Sequence, residues 1–153
     1  MLKSKKENIA EYILYLWQME DYLRAFPEQA ESSQELHELY EMMHREGVIE
    51  AGHTELAKIA LGEMEELNIQ LMNEDAVYRA AVMQIHPVLN LLKAKTDRPT
   101  MSDIEACLTL LYQIMLLHLQ KREISAETQQ VQQQATRLLQ FLSRAYRDSD
   151  IPE

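Results

Sequence analysis

The chain has 153 residues, with 25 Asp and Glu against 15 Lys and Arg, for a formal net charge of −10. A 46% hydrophobic and 26% charged composition excludes wholesale disorder. Three Gly and four Pro are too few for the turns of a β-sandwich or barrel, and 22 Leu against 10 Ile and 5 Val favour helix.

The first predicted helix runs from about Lys5 to Ala25, with Ile9, Tyr12, Ile13, Leu16, Met19 and Leu23 recurring at helical spacing. Leu14, Tyr15 and Trp17 widen that stripe, so the helix packs on two sides, and Phe26-Pro27 ends it. Ser32-Ser-Gln-Glu35 reads as a capping box for a second helix carrying Leu36, Leu39, Tyr40 and Met43, with Gly47 as its stop. A third helix is expected from about Thr54 to Met72. Asn73-Glu-Asp75 breaks the chain before a fourth, in which Pro87 predicts a kink between Met83 and Pro87. Ser102-Asp-Ile-Glu105 opens a fifth helix, apolar nearly all the way round and hence central, that extends to about Glu123. Ser125 caps a sixth, whose core face is Val131, Ala135, Leu138, Leu142 and Ala145 and whose other face is a run of Gln. The expectation is an all-α, compact single domain of about six helices over 1–153, loose at 1–4 and 148–153.

The charge is lopsided. Residues 1–75 carry a net −11 and residues 76–153 a net +1. Nucleic acid and anionic membranes are therefore poor partners. The acidic half is a solvated face, or a docking face for a basic partner or a second copy. The N-terminal Lys3, Lys5 and Lys6 precede Glu7 rather than an apolar run, unlike a signal peptide, and no apolar stretch is long enough to span a bilayer. Cys107 alone can make neither an internal disulfide nor a cysteine zinc site, so the expected compartment is the cytoplasm.

Chemistry-bearing residues are few. Glu-x-x-His occurs at Glu41–His44 and Glu50–His53, close to chance for five His among 25 acids, so no metal or other cofactor is expected, Glu41 and His44 being weak candidates only. Ordinary packing accounts for His86, His118 and Cys107. A small anion or peptide carboxylate would suit a cleft formed by Trp17, Arg24, Arg45 and His53, to which Glu20 is added as the expected partner of Arg24 at i,i+4.

Glu7-Asn-Ile-Ala-Glu-Tyr12, Trp17-Gln-Met-Glu-Asp21, Met43-His-Arg-Glu-Gly47 and Gly52-His53 resemble an uncharacterised family of bacterial domains of unknown function, found mainly in Bacteroidetes. Glu105-Ala-Cys107, Leu111-Tyr112 and Lys121 to Thr128 agree with it, while Phe26 to Ser33 is short beside the family pattern. The resemblance implies an all-helical single domain and brings no activity with it. The residues favour a non-enzymatic protein working through protein contacts, as a homodimer or with another protein. The alternative is a ligand-binding or metal-dependent enzyme using Glu41, His44 and His53.

Overall fold

The computed structural model describes residues 4–149 and is all-helical. Its helices are α1 (Ile9–Ala25), α2 (Gln34–Arg45), α3 (Glu55–Glu74), α4 (Ala76–Ala94), α5 (Asp103–Leu119) and α6 (Ala126–Arg147), with a 3-10 turn at Pro27–Glu31 between α1 and α2. Every helix starts on a short polar side chain: Asn8, Ser33, Thr54, Asp75, Ser102 and Ser125 each accept from a backbone amide three residues on. Such caps satisfy one of the amides that the first turn leaves without a partner.

Three details differ from expectation. Helix α1 begins at Ile9 rather than Lys5, because Asn8 takes the cap. The α2 cap is Ser33, one residue later than the box suggested, and Glu35 accepts from the Tyr15 hydroxyl instead of reaching back. Helix α5 stops at Leu119, since Lys121 turns left-handed (φ 58°) and the amides of Lys121 and Arg122 fold back onto the carbonyls of His118 and Leu117. Helix α4 runs unbroken through Pro87. Met83, whose carbonyl loses its usual amide donor there, lies on the exposed side where water can serve it.

Helices α1, α3, α4, α5 and α6 form the bundle, while α2 packs against α1 and the 3-10 turn. The core is one cluster, including Ile9, Ile13, Met43, Met64, Tyr78, Ile85, Leu108, Leu142 and Tyr146. The first half of α5 is its centre, with Ile104, Ala106, Cys107 and Leu108 fully buried; the second half emerges, leaving Leu119 and His118 exposed. The expected looseness of 1–4 and 148–153 lies mostly outside the described residues. Within them, Lys6 Nζ donates to the carbonyls of Tyr146 and Ser149, tying the start of the chain to the end of α6. Among the described residues no helix is long and apolar enough to cross a membrane.

Candidate functional site

Along α1, Ile13, Leu16, Glu20 and Leu23 fall on one buried row, which places a carboxylate on an apolar face. Glu20 has no solvent exposure. A buried carboxylate is costly unless its lone pairs are used, and here they are. Oε1 accepts from His53 Nδ1 at 2.7 Å, and Oε2 accepts from the Thr54 amide and hydroxyl, both at 2.9 Å. Thr54 is itself fully buried and caps α3, so one side chain of α1 fixes where α3 begins.

One turn on, Arg24 secures the preceding loop. Its guanidinium donates to the carbonyls of Val48 (2.9 Å), Ile49 (3.2 Å) and Gly52, and to Asp21 Oδ1 at 2.8 Å. Three carbonyls converge on one cation because the loop is tightly wound: Gly47 (φ 71°) and Gly52 (φ 95°) take left-handed backbone that L side chains rarely adopt. The pair expected between Glu20 and Arg24 is not formed. Glu20 faces the core and Arg24 the loop, so Asp21, three residues before Arg24, is the partner.

His53 is thereby held against Trp17, with ring centroids 4.8 Å apart and planes 21° apart. Tyr112 of α5 meets Trp17 edge-on at 6.0 Å, and its hydroxyl donates to Asp21 Oδ2 at 2.5 Å. Burial, and then that bond, push the Tyr112 hydroxyl pKa up from its ordinary value. Beside the stack opens a cleft of about 300 Å³. Its apolar part is Trp17, Ala57 and Leu61; its polar part is His53, Lys58 and Arg98 with Glu105. Arg98 grips Glu105 with two bonds, 2.5 and 3.2 Å. Nδ1 of His53 is engaged with Glu20, while Nε2 has no hydrogen bond within the described residues.

The structure thus brings Trp17, Glu20, Arg24 and His53 to one place. Arg45 is exposed at the end of α2, outside the cleft lining. Glu41 and His44 do not converge with His53: Glu41 pairs with His37 at 3.0 Å, and His44 lies edge-on to Tyr40. Among the described residues no three of His, Cys, Asp and Glu are grouped to hold a metal ion. Thr54, Tyr112, Lys58, Arg98 and Glu105 were not predicted. Only Glu20's place on the apolar row hinted at a buried polar partner; the others come from α3, α5 and the α4–α5 loop.

A second polar cluster joins α4 to α5. Asp103 accepts from Lys93 Nζ at 2.6 Å and from His86 Nδ1 at 2.7 Å, and Asn90 donates to the other His86 nitrogen at 3.0 Å. One turn along α5, burial and then the Asp103 charge push the Cys107 thiol up to about 12, with Lys93 opposing. Iodoacetamide at mildly alkaline pH is therefore expected to leave Cys107 unmodified in the native protein and to alkylate it fully in urea. Native labelling at the rate of a free thiol, read by intact mass, would contradict this. The same shift has a consequence for stability. The unfolded thiol ionises near 9 while the folded one keeps its proton, and Tyr78 and Tyr112 are raised from 10 in the same sense. Stability is then fully present below about pH 9 and declines toward about pH 12. Urea midpoints that do not fall across that window would refute it.

A third feature is apolar. Val77, Ala81, Val88 and Leu91, with Gln84 between them, recur every three or four residues on the exposed side of α4 beside α6, and Lys95 follows just past its end. Val77 is 76% and Leu91 68% exposed. Two hollows of about 330 and 190 Å³ lie end to end between this row and α6, where Val131 and Phe141 continue the apolar surface.

The fold and these surfaces define a small all-α bundle protein with one built polar cleft and one uncovered apolar helix face. The chain belongs to the family described as Domain of unknown function (DUF4924), which it matches over residues 2–35 and 27–152. The two matched stretches overlap over residues 27–35, at the connection from α1 into α2. Neither the curated proteins nor the solved structures gave a match.

Proposed function

We propose that this is a cytoplasmic, non-enzymatic protein that works through protein contacts, its first partner being a second copy of itself docked on the α4–α6 face. The observation that carries this reading is the exposed row from Val77 to Leu91. Isolated exposed apolar residues are ordinary, but a helical row of four of them, interrupted only by Gln84 and lying beside a groove, supports an interaction surface.

Charge selects the partner. Helix α4 contains no acidic residue; Glu74 and Asp75 immediately precede it, and Lys93 and Lys95 lie at its other end. Two such helices laid antiparallel bring the acidic end of each to Lys95 of the other, an isologous match that needs only one surface. Its 19 residues span about 28 Å. With α6 alongside, such a face covers about 500 Å² per copy, near the lower bound for a specific interface.

Sedimentation at about 10 μM is expected to give a dimer, and Leu91→Asp, a change at an exposed position, a monomer. A residue near a two-fold axis meets its own copy, so Gln84→Cys should be linked into a dimer by a short bismaleimide. The buried Cys107 leaves the unsubstituted chain as a clean control. A wild-type monomer at about 100 μM would sink the proposal.

A further inference from the structure

We infer that the cleft beside Trp17 binds a small organic monocarboxylate whose apolar body lies against Leu61 and the accessible edge of Trp17. This is a different surface from the α4–α6 face and does not depend on it. The sign of the ligand follows from which charges are already spent. Glu20 is fully buried behind His53 and Thr54, and the Glu105 charge is already met by the Arg98 guanidinium, so neither offers the cleft an unpaired negative charge for a cation. The donors are not spent. Arg98 has five N–H groups and uses two of them on Glu105. Lys58 has only a loose 3.7 Å pair with Glu55, and both side chains are more than half exposed. The His53 ring, held through Nδ1 by Glu20 at 2.7 Å, walls the cleft beside them and in its neutral form adds no donor of its own.

Size and wall chemistry narrow the class. A volume of about 300 Å³ is at the lower end of small-molecule sites. Glu105 lines the cleft itself, and Glu20 and Asp21 contact His53 and Tyr112 beside it, so a single negative charge is better matched than the double charge of a phosphate. The apolar wall asks for a ligand with hydrocarbon or aromatic surface beside its carboxylate. A free acid and the C-terminus of a peptide share that chemistry.

Trp17 is the sole tryptophan, so its fluorescence reports the cleft directly. Phenylacetate stands for the free acid and N-acetyl-Gly-Phe for the peptide carboxylate; 2-phenylethanol and inorganic phosphate are the controls. Saturable fluorescence change is expected with at least one carboxylate below about 10 mM, and with neither control. The tighter of the two identifies the source. At least one of Lys58→Gln and Arg98→Gln should weaken binding by about fivefold or more, whereas Arg122→Gln, at an exposed position past the end of α5, should leave it unchanged. Calorimetry covers binding that is silent in fluorescence. No saturation by either method overturns the inference, as do equal responses to a control ligand or affinity indifferent to both Lys58 and Arg98.

Discussion

Glu20→Ala is expected to lower the unfolding free energy by about 3 kcal/mol, a fall of about 10 °C in Tm for a chain of this size. Removing the carboxylate strips the partner from three groups at once: the Thr54 amide, the Thr54 hydroxyl and His53 Nδ1. Thr54 has no exposure, so water cannot replace the lost acceptor without opening the junction between α1 and α3. The cost is the desolvation of stranded donors, which exceeds the modest net value of the bonds themselves. Glu20→Gln should lose about half as much, since it keeps one acceptor oxygen and presents an amide donor where the second stood. Urea melts at one fixed protein concentration measure both, and a loss under about 1 kcal/mol for the alanine variant would show that Glu20 is not the fastener of that junction.

Asp103→Ala should cost about 3–5 kcal/mol. The Lys93 side chain is 10% exposed, and its ammonium meets Asp103 Oδ1 at 2.6 Å. Without the carboxylate a charge is left in a nearly dry position between α4 and α5, and His86 loses its acceptor as well. Breaking one side of a buried pair is far worse than replacing both. Adding Lys93→Met to Asp103→Ala should therefore recover a large part of the loss, even though the double variant has fewer polar contacts. Additive losses in the double variant would argue that the pair is not coupled, a comparison that a double-mutant cycle makes directly.

These two residues also show where reading the chain succeeds and where it stops. Ser102 preceded an apolar run, and a hydroxyl at that point satisfies orphaned amides, so the start of α5 was legible. The fate of Asp103, one residue on, was not: its partners are 10 and 17 residues away on another helix. Glu20 was paired with Arg24 by helical spacing alone. Spacing says which residues share a face of an isolated helix, but not that this face would be buried against Thr54. Lys121 ended α5 early for a similar reason. Its left-handed turn is a property of how the chain re-enters the bundle, and lysine carries no signal for it.

Local chemistry determined the helices. Periodic Leu, Ile and Met, polar caps and a scarcity of Gly and Pro act over a few residues, so the all-α class, the six segments and a core holding Cys107, Met43 and Met64 follow from the chain read in order. The lopsided charge was equally plain, as a sum over residues. Only the tertiary structure decided the sites. The cleft joins α1, the loop before α3, α3 itself and the Arg98–Glu105 pair. The exposed row of α4 becomes a surface only because α6 packs beside it rather than over it. Contacts between distant segments depend on which helix faces meet, and that is settled by packing the whole bundle at once.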